Sequence, residues 1–154
     1  LQAVRKGCPG DTMKTTPLPL EALAERFTEL KPPMSVREAR TEANRCLYCF
    51  DAPCIRACPT HIDIPTFIRK ISTDNVTGAA VTILEANLMG ATCARVCPVE
   101  ELCEGACVLN EHNEKPIEIG RLQRYATDHL YSRGVMPFTP APATGKKVAV
   151  VGAG

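Results

Sequence analysis

Apolar positions recur three and four residues apart along much of the chain, and most of these stretches end at a helix-stopping signal. In "PLEALAERFTEL" (19–30), Leu20, Leu23, Ala24, Phe27 and Leu30 share one helical face, and Lys31-Pro32-Pro33 ends the pattern. Ser35, with Glu38 three residues on, fits a capping box, so "VREARTEANRC" should run as a helix that delivers Cys46. Further on, Asp63 is an N-cap candidate with Pro65 in the first turn, and Ile64, Phe67, Ile68 and Ile71 repeat at helical spacing. The stretch 75–90 places Val76, Ala79, Ala80, Ile83 and Leu84 on one face with Gly90 as the expected stop, which predicts a helical hairpin with the preceding stripe. A longer helix is predicted within 115–134, with Ile119, Leu122, Ala126 and Leu130 on one side and Gly134 at its end.

The flanks break this periodicity. Residues 1–18, with Gly7, Pro9, Gly10 and Pro17, read as an extended arm, leaving 19–134 as the helical domain. "VMPFTPAPATGKK" (135–147) carries three prolines and reads as a stiff linker. "VAVVGAG" (148–154) is a β-branched run entering Gly-x-Gly, the way a first strand meets its phosphate loop in a dinucleotide-binding fold. Gly152 and Gly154 are therefore the candidate cofactor-binding residues, and the chain is expected to be the front portion of a longer flavoprotein. The fold class expected is mainly α, ending in the first strand of a Rossmann-like domain.

Composition narrows the chemistry. The 154 residues suit one main domain, and 18 basic against 17 acidic side chains leave a net charge of +1, which argues against a nucleic acid or a charged membrane surface as partner. No apolar run reaches a membrane span of roughly 18 residues, and residues 1–11 lack the apolar centre of a secretory signal, so a cytoplasmic protein is expected. The anomaly is nine cysteines, of which only Cys8 stands apart from two tight groups. Disulfides suit that count poorly in a chain of this length, with an odd number of thiols and no signal.

The first group, Cys46, Cys49, Cys54 and Cys58, reads CxxCxxxxCxxxCP; the second, Cys93, Cys97, Cys103 and Cys107, reads CxxxCPxxxxxCxxxC. Tetrahedral zinc draws on separated CxxC-like pairs, and only one CxxC occurs here. Iron–sulfur clusters take thiolates from compact runs, and in two-cluster ferredoxins the cysteine before proline serves the other cluster. Pro59 and Pro98 follow that pattern, each fixing φ and turning the chain after its cysteine. Read from spacing alone, the simplest count is one four-cysteine site per group, which includes Cys93.

The segments "RCLYCFDAPCIRACPTHIDIPTFI", "CARVCPVEELCEGAC" and "PIEIGRLQRYATD" resemble the N-terminal helical iron–sulfur domain of dihydropyrimidine dehydrogenase, most of all its bacterial NAD-dependent subunit. The small subunit of glutamate synthase shares the architecture but is less similar around "DAPC" and "GRLQ". The resemblance spans about residues 20–154 and implies an α-helical ferredoxin-like domain that binds two [4Fe-4S] clusters with interleaved ligands: Cys46, Cys49, Cys54 and Cys107 for the first, and Cys58, Cys97, Cys103 and Gln123 for the second. Cys93 is left beside the site as a non-ligand. A neutral oxygen in place of a thiolate, taken alone, should raise the second cluster's potential.

By the same resemblance, NAD(P)H reduces an FAD in the region that follows "VVGAG", and electrons cross the clusters to an FMN in a later domain or partner subunit, where uracil or thymine is reduced. The implied partners are the flavin and nucleotide domains of the same chain and the FMN-containing unit, in an oligomer, with no complete catalytic centre in this chain alone. Three readings compete: the glutamate synthase small subunit, a zinc-binding interaction module, and a stand-alone ferredoxin, the last disfavoured by "KKVAVVGAG". His61, His112 and His129 are isolated from any nucleophile motif, Cys8 reads as a free thiol on the arm, and Arg56, Arg95 and Lys70 read as a solvated face.

Overall fold

The computed structural model describes residues 19, 21–22, 29, 31–149 and 151–152. The chain forms two units, Leu1–Pro32 and Pro33–Gly154. In the first, Glu21 and Ala22 are helical; the expected arm at 1–18 and the apolar positions Leu20, Leu23, Ala24, Phe27 and Leu30 lie outside the described residues.

The second unit is built of helices. Helix α1 (Val36–Ala43) starts at the expected capping box, in which the Glu38 N–H donates to Ser35 Oγ (3.3 Å) and the Ser35 N–H donates back to Glu38 Oε2 (2.7 Å). It ends three residues before Cys46, and a turn in which the Cys46 N–H donates to the Ala43 carbonyl (3.2 Å) carries the chain on. Helix α2 (Pro53–Ala57) is a short element that the apolar pattern does not signal. Helix α3 (Ile64–Ser72) has Asp63 as N-cap, its side chain accepting from the Thr66 N–H at 3.2 Å, and buries Ile64, Phe67, Ile68 and Ile71 as predicted. Helix α4 (Val76–Ala86) buries the five predicted apolar residues and packs against α3, which completes the hairpin.

The expectation of a stop at Gly90 is wrong. Helix α4 ends at Ala86, with Asn87 extended as C-cap, and Gly90 instead opens helix α5 (Gly90–Val96), bent 89° from α4. Gly90 is small because it is crowded: a Cβ there would sit 2.6 Å from Ile83 Cγ2 of α4. A 3₁₀ turn (Val108–His112) precedes helix α6 (Ile119–Ser132), which ends at Gly134 with φ +64°.

Helix α6 is the hub, packing against α1, α3, α4 and α5, and its Leu122, Ala126, Thr127 and Leu130 are wholly buried. The core joins these to Phe67, Ile68 and Ile83, with Cys46, Cys54, Cys58, Cys97 and Cys107 packed against its edge. Residues 135–149 form neither helix nor strand. The strand expected at 148–154 is not formed at 148, 149, 151 or 152, where Val148 and Val151 are exposed; a strand is held by pairing, and no strand occurs among the described residues to pair with. Among the described residues no single helix is long and apolar enough to cross a membrane.

Candidate metal centre

The first cysteine group sits on a loop forced into shape at two points. Between α1 and α2, Tyr48 (φ 52°) and Ala52 (φ 31°) take left-handed backbone on either side of Cys49, a conformation that costs a non-glycine residue on the order of 1–2 kcal/mol. Tertiary contacts hold it. Tyr48 Oη reaches the Ala43 carbonyl (3.4 Å) and Ser72 Oγ (3.2 Å), and the Arg69 guanidinium lies 4.9 Å from the centre of its ring. The loop thus turns Cys46, Cys49 and, at the start of α2, Cys54 toward one space.

That space is a cavity walled by Cys46, Cys49, Cys54 and Cys107, backed by Ile64, Ile68, Ile117 and Ile119. A thiol of the second sequence group therefore lines the same cavity as three of the first. Burial pushes the Cys54 thiol up to about 11, the Cys46 and Cys107 sulfurs add to the rise, and backbone N–H groups offset part of it. Cys46 is raised for the same reason, with the Tyr48 N–H opposing and Cys49 and Cys107 adding.

The remaining thiols form a second neighbourhood. Cys93 and Cys97 lie one turn apart on α5, the Cys97 N–H donating to the Cys93 carbonyl at 3.0 Å. Burial raises the Cys97 thiol, and Cys93 and then Cys58 raise it further. Cys103 is buried and is pushed up to about 12 by that burial, with the Glu104 carboxylate and Cys58 adding. The Glu104 carboxylate itself accepts from the Gly120 N–H of α6 at 2.9 Å, tying the cysteine turns to that helix.

Both Cys-Pro pairs do the same structural work. Cys58 (φ −80°, ψ 120°) and Cys97 (φ −64°, ψ 137°) are the extended C-caps of α2 and α5, as the restriction on a residue before proline requires. Each pair stops a helix at its cysteine.

Gln123 lies on α6 and is 7% exposed, so it is not a solvated helix residue. Its Nε2 donates to the Gly90 carbonyl at 2.7 Å. Cys93 is held by another amide, Asn87 Nδ2, at 3.1 Å from its sulfur. The roles of Asn87 and Gly90 come from the bend between α4 and α5, and that of Glu104 from its contact with α6, so no motif signals them.

The other candidates lie apart from this machinery. Gly152 has φ +92° and nothing within 4 Å of a built Cβ, while Gly154 is outside the described residues, as is Cys8. His61 Nδ1 lies 3.3 Å from the Ile55 carbonyl, and burial followed by the Arg133 charge lowers the His129 pKa. Arg95 binds Asp128 through both carboxylate oxygens (2.8 and 2.9 Å), Arg56 lies 3.7 Å from Asp51, and Lys70 donates to Thr82 Oγ1 at 2.6 Å.

Residues 23–135 match the protein family described as dihydropyrimidine dehydrogenase domain II, 4Fe-4S cluster. The chain belongs to that family. It is 48% identical over 126 residues to the NAD-dependent dihydropyrimidine dehydrogenase subunit PreT of Escherichia coli K12, covering 82% of this chain and 30% of that protein. The same figures hold for PreT of Salmonella typhimurium. The small chain of NADPH glutamate synthase of Halomonas elongata is 36% identical over 137 residues, covering 88% of this chain and 29% of that protein. The chain thus spans just under a third of the curated relatives it matches. Membership makes it a 4Fe-4S electron-transfer domain, and the cavity fits that assignment: four soft thiols in an apolar wall are the donor set such clusters take.

Proposed function

We propose that this chain is the electron-relay domain of an NAD(P)H-linked oxidoreductase that reduces uracil or thymine, and that it carries two [4Fe-4S] clusters. The observation that carries this reading is the cavity in which Cys107 joins Cys46, Cys49 and Cys54, because it interleaves the two sequence groups. These four would hold the first cluster, and Cys58, Cys97, Cys103 and Gln123 the second. Four thiols lining one apolar cavity are a donor set that suits a cube with iron at several corners.

Clusters of this kind pass one electron at a time, whereas flavins take two from a nicotinamide, so a domain of clusters joins hydride chemistry to one-electron transfer. The protein's part is to hold the thiolates, keep water from the apolar wall and fix the separation of the two sites. In this reading 1–18 is an arm, 19–134 the cluster domain, 135–147 a linker, and 148–154 the first strand of an FAD-binding domain whose phosphate turn includes Gly152 and Gly154. The partners are that FAD and NAD(P)H module and an FMN-bearing unit that binds the pyrimidine, assembled as a cytoplasmic oligomer.

Identity of 48% to the PreT subunits against 36% to a glutamate synthase small chain favours the pyrimidine reading, and the glutamate synthase reading stands second. Anaerobic full-length protein should hold about eight iron and eight acid-labile sulfide per chain, as two cubes require. With its FMN partner present, NAD(P)H should bleach the visible band and uracil should restore it. About four iron per chain overturns the two-cluster reading, and restoration by glutamine plus 2-oxoglutarate in place of uracil transfers the protein to the second reading.

A further inference from the structure

Two side-chain amides meet at the bend between α4 and α5, and each is fixed by a backbone partner. Asn87 Oδ1 accepts from the Met89 N–H at 2.9 Å, which leaves Nδ2 as the group facing Cys93 Sγ at 3.1 Å. Gln123 Nε2 donates to the Gly90 carbonyl at 2.7 Å. A carbonyl can only accept, so the nitrogen must be the atom held there, and the Gln123 oxygen is the branch of the amide left for another partner. The bend itself is rigid: the Gly90 N–H donates to the Asn87 carbonyl (2.9 Å), and Gly90 abuts the fully buried Ile83 so closely that a Cβ would lie 2.6 Å from its Cγ2.

We propose that this bend, residues 87–90, selects the fourth protein ligand of the second cluster: it presents the Gln123 side-chain oxygen and holds the Cys93 sulfur back on Asn87. The inference rests on the ligand set proposed above. Cys93 is the natural rival, one helical turn from Cys97 and close enough to raise that thiol. To reach iron, its sulfur must leave a donor that is itself anchored at Met89. Asn87 and Gly90 are thus positioning residues, acting through Cys93 and Gln123.

The test uses anaerobic full-length protein carrying its clusters. Iodoacetamide should alkylate Cys93, read by peptide mapping, with no loss of iron. Asn87→Asp keeps an acceptor for the Met89 N–H but removes the donor to sulfur and repels it. In that variant Cys93 should become protected with iron content unchanged, and the midpoint potential of one cluster should fall, because a thiolate replaces a neutral oxygen. Adding Cys93→Ser should reverse most of that fall, leaving only the smaller shift that the aspartate charge itself causes.

Protection of Cys93 in the wild-type protein overturns the proposal even if Asn87→Asp fails to fold. So does a potential shift as large in the double variant as in Asn87→Asp, which is the charge of aspartate alone, and so does an Asn87→Asp protein identical to wild type. Gln123→Leu should alter one cluster's potential; unchanged potentials there sink the ligand set, a failure separate from that of the selector.

Discussion

Interleaved ligation of two clusters, as proposed, would make them energetically dependent on each other, by an amount that follows from where the thiols sit. If Cys107 closes the first site with Cys46, Cys49 and Cys54, its cross-link spans a loop of about 50 residues when the second cluster is missing, a closure of about 4 kcal/mol by the chain-entropy relation. With the second cluster in place, Cys58 and Cys103 are already joined, and the remaining ring is about eight residues, for about 2.5 kcal/mol. Cys107→Ser should therefore cost about 1.5 kcal/mol more in a Cys58→Ser background than in the wild-type protein. Local effects of losing the first cluster enter both legs of the cycle and cancel. Native-state hydrogen exchange at buried α6 amides, such as those of Leu122 and Ala126, reads the opening free energies without passing through irreversible cluster loss. Were each sequence group to hold its own cluster, Cys58 and Cys107 would belong to independent sites and the costs would add to within about 0.5 kcal/mol. Additivity would refute the interleaving.

Ile68→Ala removes a fully buried side chain that also walls the cavity, and should cost about 2–5 kcal/mol by the same exchange measurement while shortening the lifetime of the visible band in air; a cost below about 1 kcal/mol would show that the wall collapses onto the gap. The raised thiols give iron-free protein a definite pH response. Cys54 and Cys103 keep their protons to about 11 and about 12 in the fold but only to their ordinary 9.0 in the unfolded chain, so this stabilisation is intact below pH 9.0 and fades as pH rises toward those values. The Tm of iron-free protein should fall from about pH 9 to about pH 11 while reconstitution, which needs thiolates, quickens; a Tm flat across that range contradicts the burial that raises the thiols.

What could be read in the sequence was local. The Ser35–Glu38 capping box, the Asp63 cap, the buried stripe Ile64, Phe67, Ile68 and Ile71, and the stop at Gly134 all depend on residues within one or two turns of each other, so their spacing carries them. The Cys-Pro pairs were legible for the same reason, since a residue before proline is pushed to extended backbone wherever it occurs.

Tertiary structure alone decided the rest. Gly90 looks like a helix terminator in a one-dimensional pattern, yet it opens α5, and it is glycine because Ile83, seven residues back, leaves no room for a side chain. Likewise the first-group loop holds two left-handed non-glycine residues, Tyr48 and Ala52, which no propensity would predict, and Ser72 and Arg69 of α3 help to hold the first of them. Spacing alone paired the thiols by sequence group, whereas packing set Cys107 beside Cys46, Cys49 and Cys54 and fixed Gln123 to Gly90. Which donors share a site is a property of distance in space, and that distance is set by how α6 packs on α3, α4 and α5.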